Sequence, residues 1–541
     1  MTTSPDAHFA AIWEAVADAV PDQAAVVQGE RTVKWGDYER RAARLAQSFL
    51  DAGLGANSKV GMYLYNSPEY CETNFAAMKI GGVPINVNYR YLDDELAYLL
   101  DNADVEALVY HRSLGDRVER LMGRLDKVKL LVEVDDEAAG SLAVEGARGY
   151  DDVQGSTEPA ARRSPTPDDL YMLYTGGTTG MPKGVMYGLG DFTSFFLQSY
   201  PPMIGQPAIE RVEQVVDAAR AAYDSGRPLV AMSGPPLMHG TGCWLGMMTP
   251  HMFGGTAVLL ESRSLDPAEV WTTVERNGVQ HLIIVGDAFA KPLLRALDDA
   301  PGRWDLSSLQ LLISSGAMFS TPVKQGLIGH IPQVAIADVL GSTEGGMGTS
   351  ITTKDTPAGE TAQFALSPTS KVFLEDGSEV VPGSGQVGMV ANGGLVPLGY
   401  YKDPEKSART FREVNGQRYS FPGDMATIAE DGTLVLFGRG SNCINTGGEK
   451  VYPEEVEEAI KVHDAVEDAL VFGVPDDRFG ERVVGVMSIA PGATVTPEEV
   501  IEATKSRLSS YKVPRQLSIV ERVPRAPNGK ADYPGAKKLF A

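Results

Sequence analysis

The chain contains 541 residues, 48 of them basic and 71 acidic, which leaves a formal net charge of −23. Hydrophobic residues make up 43% and charged residues 22%, values that are ordinary for a globular protein. At roughly 100–200 residues per domain, the length predicts two to four structural units. The negative charge argues against nucleic acid as a partner, because that binding depends on lysine and arginine side chains that neutralise phosphates. It does not exclude a small anionic ligand, which needs only a local group of donors.

The cysteine pattern and the N-terminus bear on cellular location. Cys71, Cys243 and Cys443 lie far apart and show neither C-x-x-C nor metal-ligand spacing, which favours a reduced, cytoplasmic compartment. The N-terminus is acidic and lacks the basic segment of a signal peptide. The most apolar stretch, residues 242–260, is interrupted by Pro250 and a glycine pair, so we expect a buried helix followed by a strand and no integral membrane segment. The sequence leaves open whether the chain is a monomer or a homodimer.

Short apolar runs and amphipathic stretches alternate along much of the chain. Residues 8–53 are expected to form helices around one extended segment. The pattern then predicts strands at 59–65, 83–87, 107–110, 282–285 and 309–314 and helices at 69–80, 92–102, 270–277 and 288–297. Strands that alternate with helices favour βαβ units and parallel sheets. Residues 206–228 contain a further helical segment, which we expect on the surface.

The character of the sequence changes twice in its second half. From 371 to 436, glycine-punctuated hairpins with Asp-Gly turns predict a β-barrel-like subdomain. After residue 440, the order strand, helix, strand, strand, helix, strand predicts a compact module in which Pro453 opens the first helix. We therefore expect an α/β fold whose large N-terminal domain, residues 1–438, contains mixed and parallel sheets flanked by helices. A small, mobile α+β domain is expected at 439–541.

The strongest chemical signal is the segment YTGGTTGMPKG at residues 174–184, in which an apolar run leads into a glycine- and threonine-rich loop. Glycines allow backbone N–H groups to approach an anion, threonine hydroxyls add donors, and Lys183 adds positive charge. Such a loop suits a polyphosphate, the alternative being a flexible surface hairpin. It differs from a Walker A loop, because Pro182 precedes the lysine and Gly184 follows it.

This segment resembles the phosphate loop of the acyl-adenylate-forming superfamily, which comprises acyl-CoA synthetases, peptide-synthetase adenylation domains and luciferases. The chain is identified as a member of that superfamily of AMP-binding enzymes because further motifs follow in the same order over essentially its whole length. These motifs are Ser315-Gly316-Ala317, Gly341-Ser342-Thr343-Glu344, Gly399-Tyr400, Tyr419 with Gly423-Asp424, Gly438-Arg439, residues 446–453 and Pro527-Asn528-Gly529-Lys530.

The resemblance implies an ATP site with defined roles. Asp424 would accept hydrogen bonds from the ribose hydroxyls, and Arg439 would contact the same region. Glu344 would hold Mg²⁺, with Thr343 beside it at the α-phosphate. Lys530 would stabilise the charge that develops during adenylation. The other ATP-binding residues implied by the motifs are Thr175, Gly176, Gly177, Thr178, Thr179, Gly180, Lys183, Ser315, Gly316, Ala317, Leu340, Gly341 and Ser342.

The resemblance also implies two steps: a carboxylate attacks the α-phosphorus of ATP and releases pyrophosphate, and a thiol then displaces AMP. Superfamily members swing the C-terminal domain between the steps, so that one pose presents Lys530 and the other presents a loop for coenzyme A. The residues implied for coenzyme A are Gly447, Gly448 and Glu449. Two positions depart from the superfamily. The expected hinge is Ser441, where aspartate or lysine is usual, and Leu340 replaces an aromatic residue that commonly lies against adenine.

The acid-binding residues are also implied by resemblance. His239 lies in PPLMHG at 235–240, which resembles the superfamily segment at the entrance of the acyl pocket. Other residues expected around the acid, with core packing as the alternative, are Trp244, Met247, Phe289, Met318, Gly341 and Met347. Methionine-rich walls adapt to varied apolar shapes. These segments contain no obvious acidic residue to bind an α-amino group, which argues against an amino acid as the substrate. The runs at 285–290 and 445–453 are similar to bacterial fatty-acyl-CoA synthetases, and among them to actinobacterial ligases for sterol side-chain acids.

The expected activity is that of an AMP-forming acid–CoA ligase that uses ATP, Mg²⁺ and coenzyme A. Its acid would be a medium- or long-chain fatty acid or a bulky apolar acid such as a steroid side-chain acid. One alternative is an enzyme that adenylates a fatty acid and transfers it to the thiol of a separate carrier protein. A luciferase-like oxygenase and a nucleotide-binding scaffold without turnover are the others.

Overall fold

The computed structural model describes residues 7–137, 144–166, 168–175, 181–357, 359–446, 449–476, 479–526 and 529–540. Its first elements are α1 (Phe9–Ala19), β1 (Ala24–Gln28), β2 (Arg31–Lys34), α2 (Trp35–Asp51), β3 (Lys59–Tyr63), α3 (Pro68–Lys79), β4 (Val83–Asn86), α4 (Asp93–Asn102), β5 (Val105–His111), α5 (Gly115–Leu121), β6 (Leu130–Val134), β7 (Arg148–Gly149) and α6 (Tyr150–Ser156). Short 3-10 turns at Arg112–Leu114 and Met122–Arg124 flank α5. β1 and β2 pair as an antiparallel hairpin. The extended segment expected within 8–53 is therefore two strands.

The middle of the chain supplies the strands and helices that surround the site. They are β8 (Leu170–Thr175), β9 (Lys183–Gly188), α7 (Leu189–Met203), α8 (Val212–Asp224), β10 (Val230–Ser233), α9 (Thr249–Met252), β11 (Thr256–Leu259), α10 (Pro267–Asn277), β12 (His281–Ile284), α11 (Gly286–Asp299), β13 (Leu311–Ser315), α12 (Thr321–His330) and β14 (Ala335–Ser342). A π-helix at Thr241–Met248 runs into α9, and β11 follows, as expected for the apolar stretch. Across the described part of the chain, no helix combines the length and apolar character that a bilayer crossing requires.

The remaining elements are short strands followed by a C-terminal module. They are β15 (Gly345–Thr352), β16 (Gln363–Leu366), β17 (Ser370–Phe373), β18 (Gly388–Asn392), β19 (Gly399–Tyr400), α13 (Pro404–Thr410), β20 (Phe411–Val414), β21 (Gln417–Ser420), β22 (Asp424–Ile428), β23 (Leu434–Arg439), β24 (Ile444–Thr446), β25 (Glu449–Val451), α14 (Pro453–Lys461), β26 (Val466–Asp476), β27 (Gly480–Ile489), α15 (Pro497–Thr504), β28 (Gln516–Ile519) and α16 (Tyr533–Phe540). Pro453 opens α14, as predicted. The final helix α16 was not expected from the sequence, and it is held by packing of Ala536 in a cluster with Phe472.

Fifteen strands form the main sheet in the order β2-β1-β11-β10-β12-β13-β14-β15-β16-β23-β22-β18-β21-β20, with β17 beside β18. Neighbouring strands are parallel from β1 to β14 and antiparallel from β14 onward. Parallel strands that are covered on both faces are apolar along their length, and β11 and β12 are buried at every position. The predicted βαβ organisation is confirmed.

Three smaller sheets complete the fold. A parallel sheet has the order β4-β3-β5-β6-β7, an antiparallel sheet has the order β8-β9-β19, and the C-terminal module contains β25-β24-β27-β26 with β28 beside β27. The strands expected to form a β-barrel-like subdomain do not close into a barrel. They continue the main sheet through the pairs β15–β16 and β16–β23, so hydrogen bonds join them to the parallel strands instead of completing a ring.

Candidate active site

The residues predicted for ATP converge at the carboxyl ends of two parallel strands. β13 ends at Ser315, which is paired with Val339 on β14, so Gly316 and Leu340 follow at the same edge of the sheet. Open α/β sheets bind ligands at this edge. Gly316 has a φ of +92°, a conformation that favours glycine. The motif glycine therefore allows the chain to turn sharply where a ligand would lie.

Thr343 and Glu344 form the tip of a two-residue hairpin between β14 and β15. Ser342 and Gly345 are paired across this tip. Gly345 has a φ of +149°, and a Cβ atom there would come within 2.3 Å of Asn392 Nδ2. Only glycine therefore fits directly after the glutamate, and the tight turn presents Thr343 and Glu344 together.

Two tyrosines hold this turn from the neighbouring sheet. Tyr187 on β9 donates a hydrogen bond from its hydroxyl to the Thr343 carbonyl oxygen at 2.8 Å. Tyr400 on β19 donates to Glu344 Oε1 at 2.7 Å. β9 and β19 are antiparallel partners, with Tyr400 opposite Val185. One small sheet therefore positions both the backbone of the turn and its carboxylate.

Lys183, the lysine of the predicted phosphate loop, begins β9 beside the same tyrosine. Its ammonium group lies 4.8 Å from the ring centroid of Tyr400, and that of Lys406 lies 5.9 Å from the same centroid. Burial, followed by the nearby Lys406, lowers the pKa of Lys183 to about 8. Thr175 ends β8, and the predicted loop residues Gly176, Gly177, Thr178, Thr179 and Gly180 lie outside the described part of the chain. The two neighbouring cations suit a polyphosphate, which would relieve their repulsion.

Asp424 and Arg439 face each other across β22 and β23. Arg439 Nε lies 3.4 Å from Asp424 Oδ1, and Asp424 is only 7% exposed. Burial raises the pKa of Asp424, and the carboxylate of Asp424 raises the pKa of Arg439. Asp424 Oδ2 is buried and accepts no hydrogen bond from any described residue. An unsatisfied carboxylate oxygen of this kind matches the hydroxyl donors of a ribose.

Lys530 reaches the site from the C-terminal module. A Cβ atom at Gly316 would lie 3.8 Å from Lys530 Cε. The preceding Gly529 has a φ of +76°, and a Cβ atom there would lie 2.9 Å from Cβ of Ala288, so glycine lets the loop lie close to α11. The side chain of Lys530 is open to the cavity, yet desolvation by the surrounding protein, followed by Arg439, lowers its pKa. This pose is the one expected for the adenylation step.

A cavity of about 1410 Å³ lies beside several of these groups, whereas Lys183, Thr343 and Glu344 are not among its lining residues in the described chain. Its lining includes Asp424, Arg439, Lys530, Gly316, Ala317, Leu340, Gly341, Phe289 and Met318. Typical small-molecule sites measure about 300–1,000 Å³. The cavity is therefore large enough for a nucleotide together with a second substrate.

Some residues predicted for the acid lie at this cavity. Phe289 and Met318 line it. His239 is not among the lining residues; it is half-buried, and its Nε2 atom has no hydrogen-bond partner among the described residues. Burial, followed by the charge of Lys530, lowers the pKa of His239 to about 3, so the imidazole is neutral at physiological pH.

Other residues predicted for the acid pack into the protein core. Trp244 Nε1 donates a hydrogen bond to the Tyr171 hydroxyl at 2.7 Å. Met247 is fully buried in the large N-terminal cluster, and Met347 is fully buried in a cluster with Leu340 and Phe364. None of the three is among the residues that line the cavity in the described chain.

The residues predicted for domain movement and coenzyme A surround the start of the C-terminal module. Ser441 lies in a 3-10 turn, Gly440–Asn442, between β23 and β24. Glu449 begins β25 and is exposed, whereas Gly447 and Gly448 lie outside the described part of the chain. Lys530 lines the cavity and Glu449 does not. The alternative pose, with the 447–449 loop at the cavity, stays a prediction.

The sequence patterns assign no role to Tyr187, Tyr400 or Lys406. For Tyr400 the available signal is the Gly-Tyr motif itself. Tyr187 lies four residues after Lys183 on a strand, so the two share a face, and that is a weak signal. Lys406 carries no signal, because a lysine on a short helix is ordinarily a solvated surface residue.

The described residues suit a magnesium ion only in combination with a nucleotide. They contain no group of three or more His, Cys, Asp or Glu side chains that could hold a metal by themselves. Glu344 is a buried carboxylate, 8% exposed, oriented by Tyr400. Mg²⁺ is commonly bound through one or two carboxylates plus substrate phosphates, and Glu344 fits that arrangement.

Family models and known proteins match nearly the whole chain. Residues 13–401 match the AMP-binding enzyme family, and residues 455–530 match the AMP-binding enzyme C-terminal domain. The 3-oxocholest-4-en-26-oate–CoA ligase of Rhodococcus rhodochrous is 40% identical over 538 residues, 98% of this chain and 95% of that protein. The medium/long-chain-fatty-acid–CoA/3-oxocholest-4-en-26-oate–CoA ligase of Mycobacterium tuberculosis is 39% identical over 536 residues, 98% and 96% of the two chains.

Solved structures share the fold. The anthranilate CoA ligase AuaEII in complex with anthranoyl-AMP matches with a TM-score of 0.81 at 21% identity, covering 98% of each chain. ATP-bound MatB from Rhodopseudomonas palustris matches with a TM-score of 0.77 at 23% identity, again covering 98% of each chain. The predicted α/β architecture is confirmed.

Proposed function

The chain belongs to the AMP-binding enzyme family, and we propose that it is an AMP-forming acid–CoA ligase. The observation that carries the proposal is the meeting of the Asp424–Arg439 pair with Lys530 at one large cavity. The relatives named as CoA ligases for fatty acids and steroid side-chain acids, which match 98% of this chain, support it.

The nucleotide would be held by groups on both sides of the cavity. The unsatisfied Oδ2 atom of Asp424 accepts hydrogen bonds from the ribose hydroxyls, and Arg439 adds positive charge beside the α-phosphate. Lys183 and the glycine-rich loop before it would contact the outer phosphates. Glu344 would hold Mg²⁺, which when bound neutralises phosphate charge. The polyphosphate is thus bound by local donors in a chain whose net charge is −23.

In the first step, a carboxylate oxygen of the acid attacks the α-phosphorus of ATP. The bond from that phosphorus to the bridging oxygen breaks, and pyrophosphate leaves with the electron pair. The Cε atom of Lys530 lies near Gly316 at the strand end, and the ammonium group that it carries would stabilise negative charge on the reacting groups. The bound triphosphate would also favour the protonated form of this lysine, since opposite charges raise the pKa of an amine.

In the second step, the C-terminal module would turn about Ser441 and replace Lys530 with the 447–449 loop. The sulfur of coenzyme A attacks the acyl carbon, the thiol proton is released, and the bond between the acyl carbon and the phosphate oxygen breaks. AMP leaves and the thioester remains. Exclusion of water from the cavity would protect the labile acyl-AMP between the two steps.

We infer that the acid is a medium- or long-chain fatty acid or a bulky apolar acid such as a steroid side-chain acid. Phe289 and Met318 provide an aromatic and an adaptable apolar wall. The named substrates of the relatives are of this chemical class.

The direct test is to incubate the protein with ATP, Mg²⁺, coenzyme A and a panel of fatty, aryl and steroid acids. We expect acid-dependent release of pyrophosphate and AMP together with acyl-CoA, with the largest rates for apolar acids. Accumulation of acyl-AMP without acyl-CoA would instead favour transfer to a carrier-protein thiol. If no acid supports ATP–pyrophosphate exchange, the protein is not an adenylating enzyme.

A further inference from the structure

Tyr400 connects two functional groups that come from distant parts of the chain. Its hydroxyl donates to Glu344 Oε1 at 2.7 Å, and its ring faces the ammonium group of Lys183, 4.8 Å from the centroid. The side chain is only 4% exposed. The same residue therefore contacts the carboxylate expected at the metal and the cation expected at the phosphates.

The backbone around Tyr400 is held against the strand that carries Lys183. The N–H of Tyr401 donates to the Gly184 carbonyl oxygen at 2.8 Å, and the N–H of Leu398 donates to the Met186 carbonyl oxygen at 2.7 Å. The N–H of Tyr400 donates to Ser407 Oγ at 2.8 Å. These bonds fix the backbone at Tyr400, and burial of the residue restricts its ring, so Tyr400 is a rigid support.

We infer that Tyr400 is a positioning residue that aligns the Glu344 carboxylate with the Lys183 ammonium group for the metal-bound triphosphate of ATP. The inference rests on the proposed function, which assigns Glu344 to the metal. Tyr400 acts through these two side chains and does not itself touch the reacting atoms.

Physical chemistry explains why this position needs a tyrosine. A glutamate side chain rotates about three bonds, and a hydrogen bond to one carboxylate oxygen fixes its direction while leaving the other oxygen for a ligand. The hydroxyl must remain protonated to donate this bond. Burial and the nearby Glu344 raise the pKa of Tyr400, which keeps the proton in place throughout the physiological range. The face of the ring attracts the ammonium group of Lys183.

Two variants of Tyr400 distinguish the contribution of its hydroxyl group from that of its ring. Binding of α,β-methylene-ATP, which cannot be cleaved at the α-phosphorus, is measured by calorimetry with Mg²⁺ and in its absence. We expect Tyr400→Phe to reduce the gain in affinity that Mg²⁺ provides by about tenfold, with metal-free binding unchanged. Tyr400→Leu removes the ring as well, and we expect it to weaken metal-free binding too.

The adjacent tyrosine provides a matched control. The Tyr401 hydroxyl donates to Asp104 Oδ2 at 2.7 Å, so Tyr401→Phe also removes one tyrosine–carboxylate bond but not at the site. We expect Tyr401→Phe to bind the analogue like the wild type under both conditions. Thermal unfolding of each variant shows whether it is folded. A Tyr400→Phe protein that is folded and keeps the full effect of Mg²⁺ would overturn the inference.

Glu344→Gln distinguishes failure of the inference from failure of the proposed function. If Glu344→Gln reduces the Mg²⁺ effect and Tyr400→Phe does not, only the inference is wrong. If Glu344→Gln leaves the Mg²⁺ effect intact, the assignment of Glu344 to the metal is wrong, and the inference fails with it. In the double variant we expect no loss beyond that of Glu344→Gln, because the hydroxyl acts only through this carboxylate.

Discussion

The ammonium group of Lys291 donates a hydrogen bond to the main-chain carbonyl oxygen of Glu467 at 2.5 Å, and so joins α11 to the C-terminal module. One turn further along α11, Arg295 pairs with Glu467 Oε1 at 2.8 Å. The same helix carries Ala288, which lies against the loop of Lys530. Helix α11 therefore holds the pose in which Lys530 reaches the cavity.

Loss of the Lys291 contact should affect the two steps unequally. A hydrogen bond from a charged donor contributes about 1.5–3 kcal/mol, so we expect Lys291→Ala to lower acid-dependent ATP–pyrophosphate exchange by about tenfold. Conversion of supplied acyl-AMP and coenzyme A to acyl-CoA should not fall. Arg295→Ala is the comparison, and because this pair is partly exposed its effect should be about twofold or less. Equal losses in both steps would contradict a pose-specific role.

Lys530→Ala should impair the adenylation step and leave the thiolysis step active. Removing a group that stabilises charge in the transition state costs about 10²–10³ in rate, and we expect that loss in acid-dependent exchange. Thiolysis of supplied acyl-AMP should continue, since the second step is expected to withdraw this lysine. Exchange at the wild-type rate would show that Lys530 does not have the role proposed for it.

Binding of ATP should weaken above about pH 8 because of Lys183. The protonated amine is the form that binds phosphate, and burial together with Lys406 lowers the pKa of Lys183 to about 8. As the pH rises through this value the positive charge is lost, so KM for ATP should increase by about threefold to tenfold by about pH 9. Lys183→Arg keeps its charge there and should show a flat profile. The same increase in that variant would assign the titration to another group.

The ribose contact of Asp424 can be tested with a modified nucleotide. We expect Asp424→Ala to raise KM for ATP by about tenfold or more, because the variant loses the ribose acceptor and leaves Arg439 without its partner. For the wild type, 2′,3′-dideoxy-ATP should bind correspondingly more weakly than ATP. The variant should not distinguish the two nucleotides. If it discriminates as the wild type does, Asp424 is not the residue that binds the ribose.

Glu457 should make the stability of the C-terminal module depend on pH. It is 5% exposed, and its Oε1 atom accepts hydrogen bonds from the Val471 N–H at 2.9 Å and the Tyr533 hydroxyl at 3.2 Å. Burial, followed by the nearby Glu454, raises the pKa of Glu457 from 4.5 to about 8. The folded state therefore binds this proton more tightly, and the associated stability is lost as the pH rises from about 4.5 to about 8.

Substitution of Glu457 by glutamine should remove that dependence. The amide oxygen can accept the same two hydrogen bonds without ionising. We expect Tm of Glu457→Gln to exceed that of the wild type by about 2–5 °C at about pH 9, by less at about pH 6, and to match it at about pH 4. A difference that is constant with pH would mean that Glu457 does not titrate in this range.

Much of the fold follows from local patterns. The strands at 59–65 and 282–285 and the helices at 69–80 and 270–277 were predicted because side-chain periodicity and turn residues act over a few positions. The closure of a sheet depends on pairing between distant strands. The hairpins at 371–436 were therefore predicted correctly as hairpins, while their connection to the main sheet through β15 was not.

In the candidate site, the residues of the sequence motifs could be predicted, whereas the apolar residues of the pocket could not. Motif order in the sequence named Asp424, Arg439 and Lys530, and the structure brings the three to one cavity. Apolar residues were harder to assign, because a methionine in a core and a methionine in a pocket have the same local pattern. Met318 lines the cavity, whereas Met347 is buried with Phe364.

The net charge of −23 argues against nucleic acid as a partner, and the order of the motifs identified the few cations and glycine-rich turns that could bind a nucleotide. How these groups are held depends on contacts between distant parts of the chain. Tyr400 and Glu344 are 56 positions apart, and Tyr187 and Thr343 are 156 apart. Hydrogen bonds between such residues depend on the packing of separate strands. Short-range periodicity carries no information about that packing, so the hydrogen bonds of the two tyrosines to the Thr343–Glu344 turn could be identified only in the folded chain.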